Sequence, residues 1–398
     1  MNGSAAGTLL LVTVGASLLP ALGRRLRIPV AIVEILYGVL IGGSGLGLAS
    51  DPGEPFLGFL AELGFALFLL VAGLELDFSE IERAGRRSLL GALAVSVASI
   101  GAAIGLAGIL GWSPWIGLAT GATSVALLVA VLRELGRLSS PVGRKLITLA
   151  ALGEVVTVGA IALFELLGGH EGPTVSAALR LILPVLGVVL GGVVLRTLLW
   201  WYPAVFGRLV ASEDPQELGV RVGLGLMFVF IGLASLGGLE PVLGAFLAGL
   251  TLAYVLRDKG ALEHKLGSMA YGFFVPLFFV HVGMRLELSA SQLFSDLPFV
   301  LLVLVVMFAS KTISGLYLIF TGLQSRAAIA GTLLLASPLT LVIAIADLAG
   351  RANAITSAQE GVLVAAGMIA SLLYPTLARG LLSDKKAAAE APKAPAAH

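Results

Sequence analysis

Residues 144–168 read RKLITLAALGEVVTVGAIALFELLG, an apolar stretch long enough to cross a lipid bilayer as one helix. Near its middle stands a carboxylic acid, Glu154, about 15 Å along a helix from the basic pair Arg144 and Lys145. This depth is about half of a 30 Å hydrocarbon core. A carboxylate buried there costs at least a few kcal/mol, so Glu154 is a candidate for an ion or proton path.

The composition around this stretch is that of a polytopic membrane protein. Of 398 residues, 58% are hydrophobic and 12% are charged, against about 25% charged residues in soluble domains. The sequence has no cysteine, which excludes disulfides and thiolate metal sites, and its net charge of +1 gives no indication of nucleic acid binding. Neither nucleotide-binding fingerprints nor metal-enzyme ligand spacings occur. We therefore expect a protein without a cofactor that is not an enzyme.

The sequence predicts thirteen membrane-spanning helices. Apolar runs of spanning length recur along the whole chain up to residue 377. They cover residues 5–22, 30–49, 56–76, 88–110, 114–132, 146–167, 175–199, 218–236, 241–256, 269–284, 297–320, 327–348 and 355–377.

Basic residues lie mainly in the odd-numbered connections between the segments, and this alternation predicts the orientation. Arg285 and Arg351 are the exceptions in the even-numbered connections. By the positive-inside rule, the odd-numbered connections and the C-terminus are cytoplasmic and the N-terminus is outside. The odd-numbered connections hold Arg24, Arg25, Arg27, Arg83, Arg86, Arg87, Arg137, Arg144, Lys145, Arg208, Arg257, Lys259, Lys265 and Arg326.

Thirteen segments divide into six, one linker and six. Repeat one covers about residues 5–167, the linker helix about 175–199 and repeat two about 218–377. Because the linker crosses once, the second six begin on the opposite side and the repeats are inverted in topology. Residues 1–382 then form one transmembrane transporter domain, and the Ala/Pro/Lys-rich residues 383–398 form a disordered cytoplasmic tail.

Segments five and twelve, which this pairing makes equivalent, both carry interruptions near their centres. Paired interruptions in the two halves indicate crossed broken helices and a binding site, since proline and unwound backbone free carbonyl groups. Alternatively, these are ordinary packing residues in lipid. The residues are Thr120, Gly121, Thr123 and Ser124 in segment five, and Ser337, Pro338 and Thr340 in segment twelve.

Segment eleven contributes a lysine, Lys311, which is too central to reach the membrane surface comfortably. The natural partner for a buried ammonium is a buried carboxylate, and Glu154 is the best candidate. Such a pair can exchange protons, although it can also be a purely structural ion pair. Two other acids, Glu34 and Glu62, lie a few residues inside segments two and three, where polar contacts at helix ends are the commoner explanation.

Several motifs, taken together and in order, resemble those of the monovalent cation:proton antiporters of the bacterial Kef-type and sodium/proton exchanger branch. Segment two, RIPVAIVEILYGVLIGGSGLG, is similar to the family's opening motif, and LAELGFALFLLVAGLELD to its third helix. ATSVALLVAVLRELGRLSSPVGRKLITLAALGEVV resembles an unwound helix followed by the ion-site helix. GAFLAGLTLA, VPLFFVHVGMRLEL and the lysine of FASKTISG also fit. The match covers nearly all thirteen segments.

Two departures from the family pattern leave the cation's identity open. The family's ion-site helix usually shows Asp-Asp, Asn-Asp or Gln-Asp, where this chain has Gly153-Glu154. Gly153 removes the residue that pairs with the lysine in family members with two acids. The second broken helix often carries an Arg-Gly-Glu-like stretch, where this chain has ASPLTL at 336–341.

The resemblance implies a core domain with crossed broken helices that moves against a dimerisation domain, in the inner membrane of a bacterium. It also implies a homodimer, with H+ and Na+ or K+ as the species bound. Glu154 would hold either a proton or a cation, and Thr123, Ser124 and freed carbonyls would complete the oxygen shell that hard cations prefer.

The leading hypothesis is therefore a secondary antiporter exchanging Na+ or K+ for H+. One acid without a neighbouring second acid predicts one-for-one, electroneutral exchange. A sodium-coupled symporter of a small organic anion is the alternative, which Lys311 and the small Ser/Gly lining would suit. A transport-inactive sensor with the same fold is a third hypothesis, prompted by the changed residues at Gly153 and in segment twelve.

Overall fold

Helices form nearly all of the described part of the chain in the computed structural model, and no strand occurs there. The predicted segment seven, except Thr197, and the predicted tail 383–398 lie outside the described residues and stay predictions. The structure describes residues 3–26, 29–43, 45–49, 55–76, 86–135, 137, 140–168, 197, 201, 214–236, 241–256, 259–286 and 296–382.

The described helices follow the predicted segments. In chain order they are α1 (Gly3–Leu26), α2 (Val30–Ile41), α3 (Pro55–Glu75), α4 (Arg86–Ile109), α5 (Pro114–Gly121), α6 (Ala126–Glu134), α7 (Pro141–Gly168), α8 (Leu218–Leu236), α9 (Pro241–Val255), α10 (Gly260–Met269), a π-helical turn (Ala270–Phe274), α11 (Val275–Arg285), α12 (Leu297–Phe320), α13 (Ser325–Leu335), α14 (Leu339–Arg351) and α15 (Ser357–Leu382).

Eight helices of the described residues are long and apolar enough to cross a membrane, and Gly7–Gly23, Val30–Ile41 and Pro241–Val255 are shorter apolar helices. The expectation of an all-helical membrane protein is therefore confirmed, whereas the count of thirteen stays a prediction. The eight are Pro55–Glu75, Arg87–Ile109, Pro141–Phe164, Leu218–Leu236, Gly260–Arg285, Leu297–Phe320, Ser325–Arg351 and Ser357–Leu382.

Two helices differ most from their predicted segments. α2 ends at Ile41 rather than at residue 49, because the glycine-rich stretch after it turns back: Ala49 N–H donates to Ile41 O at 2.9 Å, and Gly47 has a φ of 63°. The helix of segment ten begins at Gly260 rather than at residue 269. Its first turns, GALEHKLGSM, contain charged residues and therefore do not belong to the apolar run that predicts the segment.

The chain divides into two units. Unit 1 comprises Met1–Gly85 and Val158–Leu293, and unit 2 comprises Arg86–Thr157 and Phe294–His398. Each unit therefore combines chain from both predicted repeats. Unit 2 contains segments four, five, eleven, twelve and thirteen and the first part of α7.

In unit 1, α2 and α11 cross through a pair of glycines. A Cβ on Gly38 would lie 2.1 Å from the Val280 carbonyl oxygen, and one on Gly283 would lie 2.1 Å from the Ile35 carbonyl oxygen. Real Cβ atoms do not approach backbone oxygen so closely. The crossing therefore requires glycine on both helices, as close packing in lipid often does.

A second glycine pair joins α3 to α9 in the same unit. A Cβ on Gly73 would lie 2.4 Å from the Phe246 carbonyl oxygen, and one on Gly249 would lie 2.1 Å from the Leu70 carbonyl oxygen. The predicted repeat pairs segment two with nine and segment three with ten. Under that pairing, the contact between segments two and ten corresponds to the contact between segments nine and three. The two glycine crossings are therefore equivalent, which is consistent with the predicted repeat.

In unit 2, the helices of segments five and twelve are both interrupted. α5 ends at Gly121 and α6 begins at Ala126, while α13 ends at Leu335 and α14 begins at Leu339. α5 packs against α14 and α6 against α13, so the two broken helices meet at their interruptions. α4 packs on α5 and α12, and α15 packs on α13 and α14.

Candidate functional site

The interruption between α5 and α6 begins where local hydrogen bonding ends α5. Pro114 starts the helix, and the Ser113 hydroxyl caps it by accepting from Trp115 N–H at 3.4 Å. At the other end, the Thr120 hydroxyl donates to Gly117 O at 2.9 Å. Ala122 then takes an extended conformation, with φ −58° and ψ 156°. The chain stays buried while it is unwound, so its polar groups must find partners on neighbouring helices.

Glu154 provides one of these partners. It lies on α7 with 4% of its surface exposed, and its Oε2 accepts a hydrogen bond from Val125 N–H at 3.1 Å. Val125 immediately precedes α6. The carboxylate therefore lies at the N-terminal, positive end of a half-helix, where a negative charge is favoured.

Lys311 provides the other partner. It is 1% exposed, and its ammonium donates to Gly121 O, the last carbonyl of α5, and to Thr123 Oγ1 at 2.7 Å. The sequence predicts Glu154 as the partner of Lys311, whereas its hydrogen bonds among the described residues go to this carbonyl and hydroxyl. The reason is that the interruption leaves the C-terminal carbonyl of α5 unpaired, and a cation is favoured at that end of a helix.

Thr157, which sequence reasoning missed, holds the unwound chain against α7. Its hydroxyl accepts from Thr123 N–H at 3.3 Å and donates to Gly153 O at 2.7 Å. The sequence feature that could have indicated Thr157 is its position three residues after Glu154, on the same face of the helix. Gly153 makes the contact possible, because a Cβ there would lie 2.9 Å from the Thr123 Cβ.

The first turn of α14, which follows the second interruption, contributes one hydroxyl to the site. Ser124 Oγ and Thr340 Oγ1 lie 3.4 Å apart and join the two interruptions. The Ser337 hydroxyl instead donates to Leu334 O of its own helix at 2.7 Å. Pro338 stands at the N-cap position of α14 and has no backbone N–H.

Of the predicted site residues, the structure thus brings six together around the first interruption: Gly121, Thr123, Ser124, Glu154, Lys311 and Thr340. The hydroxyls of Thr120 and Ser337 bond to their own helices. The result is a buried group of carboxylate, hydroxyl and carbonyl oxygens beside one fixed cation. Oxygen ligands of this kind suit a proton or a hard cation, and no group of three or more His, Cys, Asp or Glu that could hold a metal occurs in the described residues.

Known proteins share this chain's sequence features. A family model described as sodium/hydrogen exchanger, transmembrane, matches residues 11–382. YjbQ of Bacillus subtilis, named as a Na+/H+ antiporter, is 31% identical over 94% of the chain, and the chain spans 63% of its length. The glutathione-regulated potassium-efflux protein KefC of Klebsiella pneumoniae is 31% identical over 68% of the chain and 44% of its own. These relatives are transporters, not enzymes.

The fold also has solved counterparts. The sodium proton antiporter MjNhaP1 of Methanocaldococcus jannaschii aligns with a TM-score of 0.68 over 96% of this chain and 98% of its own, at 18% identity. This likeness shows the fold, and the match of the family model over nearly the whole chain shows the family. The chain belongs to the sodium/hydrogen exchanger family of membrane transporters.

Proposed function

We propose that this chain is a secondary active antiporter that exchanges a monovalent cation, Na+ or K+, for H+ by alternating access. The observation that carries the proposal is the position of Glu154: a carboxylate buried at mid-helix, bonded to the backbone of an unwound segment and surrounded by oxygen ligands. A carboxylate in this position needs a neutralising partner, which either a proton or a cation supplies. The two therefore compete for one site.

The exchange follows from this competition. When the carboxylate has access to one side of the membrane, it releases its proton and takes up a cation. Thr123 and Ser124 would complete the cation's oxygen shell. The loaded unit 2 would then change its access by moving relative to unit 1, and the cation would leave on the other side as a proton returns.

Lys311 has a separate role in this proposal. Its charge compensates the negative end of α5 and holds the Thr123 hydroxyl, so it shapes the site without occupying it. Since one carboxylate carries both species, the exchange is one-for-one. We further propose a homodimer in the inner membrane of a bacterium, with the N-terminus outside and the C-terminus cytoplasmic.

The relatives support a cation:proton antiporter and leave two candidates for the cation. YjbQ is named for Na+/H+ antiport, and KefC for potassium efflux. Both cations are therefore included in the test.

The test is a flux assay in proteoliposomes that contain a pH-sensitive dye. Addition of Li+, Na+ or K+ to wild-type vesicles loaded with acid is expected to raise the internal pH for at least one of these cations. Glu154→Gln keeps an acceptor for Val125 N–H but cannot exchange a proton, so it should lose the signal. Lys311→Ala should reduce the signal and change its cation preference.

Two outcomes would contradict the proposal. Sodium-driven uptake of an organic anion without proton countertransport would indicate the symporter. Wild-type vesicles that respond to none of the three cations, although the protein is folded and inserted, would indicate the transport-inactive sensor.

A further inference from the structure

Unit 1 contains a buried acid that the exchange site does not use. Glu34 lies on α2 and is only 3% exposed. The sequence favours a helix-end contact for it, but α2 begins at Val30 with Pro29 at its N-cap, and no side chain caps that end. Glu34 therefore lies beyond the orphan N–H groups of the first turn, and helix capping does not explain its burial.

The surroundings of Glu34 supply no counter-charge in the described part of unit 1. On α2 it lies one turn before Gly38, the residue that crosses α11, and one turn from Tyr37, whose hydroxyl donates to Leu11 O of α1 at 2.9 Å. Neither a hydrogen bond nor an ion pair joins Glu34 to any described residue. The core against which Tyr37 packs is apolar and consists of Val12, Ile41, Ala49, Leu57, Leu277, Val280 and Met284.

The described charged and titratable side chains of α1 and α11, the helices packed against α2, lie elsewhere. On α11, Arg285 is exposed, and His281 stands two residues before Gly283 and hence on a different face from the crossing. On α1, Arg25 is exposed. An ionised carboxylate in this apolar setting would carry the full cost of desolvation, whereas a protonated one would not.

We propose that Glu34 is a proton-binding site in unit 1, separate from Glu154, and that it holds its proton in the conformation described. The proton site follows from the burial and the missing counter-charge. Its coupling to transport rests on the proposed exchange function: a proton released from Glu34 during the cycle would make the rate depend on pH through a group outside unit 2.

Thermal unfolding tests the site without any transport. The unfolded chain releases the Glu34 proton above about pH 4.3, whereas the folded protein keeps it, so the wild type loses stability as pH rises. Glu34→Gln has no proton to lose. Unfolding is followed by tryptophan fluorescence. The unfolding temperature of Glu34→Gln minus that of the wild type should therefore increase by about 2 °C or more between about pH 5 and pH 8.

Glu34→Asp is the matched control, because it keeps a carboxyl group at the same position of α2. It should keep the wild-type dependence of the unfolding temperature on pH. A Glu34→Gln difference that is constant with pH, or that falls as pH rises, overturns the proton site.

The flux assay tests the coupling. Glu34→Gln vesicles should still exchange cation for H+, but with the pH of half-maximal rate displaced by about one unit or more. An unchanged pH profile would overturn the coupling while leaving the proton site in place. If the wild type exchanges no cation at all, the proposed function fails, and the thermal experiment still decides whether Glu34 binds a proton.

Discussion

Lys311 and Glu154 bind the two ends of one interrupted helix: the ammonium contacts the last carbonyl of α5, and the carboxylate contacts the N–H that precedes α6. Each charge thus lies at the helix end of opposite polarity. Replacing the proton on Glu154 by a cation leaves the lysine's partners in place, which is the arrangement that the proposed exchange needs.

Gly153 should tolerate no side chain. A methyl group at this position would lie 2.9 Å from Thr123 Cβ and push the unwound segment away from α7. We expect Gly153→Ala to lower stability by about 1–3 kcal/mol and to reduce exchange. Gly159→Ala, on the same helix with open space around its position, should change neither. If Gly153→Ala and Gly159→Ala had the same unfolding temperature and the same exchange rate, the close contact between residue 153 and Thr123 would be contradicted.

Thr123 and Lys311 should be energetically coupled. Thr123→Val removes the hydroxyl that accepts from the ammonium but keeps the shape of the side chain, and Lys311→Met removes the donor. In a double-mutant cycle on the exchange rate, we expect a coupling energy of about 0.5–3 kcal/mol. Thr148→Val should be additive with Lys311→Met, because the Thr148 hydroxyl bonds to Arg144 O of its own helix. If the effects of Thr123→Val and Lys311→Met on the exchange rate were additive, the hydrogen bond between these side chains would have no role in exchange.

Exchange should be electroneutral. One carboxylate carries either a proton or a monovalent cation, so each cycle moves no net charge. In proteoliposomes with a clamped membrane potential, the coupled rate and the reversal point should not vary with that potential. A reversal point that shifts with voltage would mean that a second proton moves in each cycle, with Lys311 or Glu34 as its carrier.

The glycine crossing of α2 and α11 should be essential to unit 1. A Cβ on Gly283 would lie 2.1 Å from Ile35 O, a backbone atom that cannot rotate away. We expect Gly283→Ala to destabilise the protein by about 1–3 kcal/mol in thermal unfolding in detergent. Gly225→Ala, on an exposed position of α8 with open space, is the control and should be neutral or slightly stabilising. A neutral Gly283→Ala would contradict the close approach.

Hydropathy alone located most of the helices, because each must cover about 30 Å of hydrocarbon with apolar side chains. Hydropathy missed the helical turns of residues 260–269, because they contain charged residues. It also placed the end of α2 too late, because glycines end that helix at Ile41. The small and polar residues of segments five and twelve likewise marked where the structure places the two interruptions.

The partners of Lys311 could not be read from the sequence, since they depend on which backbone groups the interruption leaves unpaired. Glu34 and Glu62 show the same limit: both are acids a few residues inside an apolar segment, yet one is buried and the other exposed. That difference arises from the packing of the helices and not from the pattern around either residue.

The hydroxyls of Ser99 on α4 and Ser314 on α12 lie 3.1 Å apart inside unit 2. They come from the two halves of a chain that has no cysteine of its own. Cysteines at these two positions would therefore be the sole thiols and could form a reducible covalent tether between the halves. If exchange continues at the same rate with the tether closed, unit 2 carries its cation as a single rigid block.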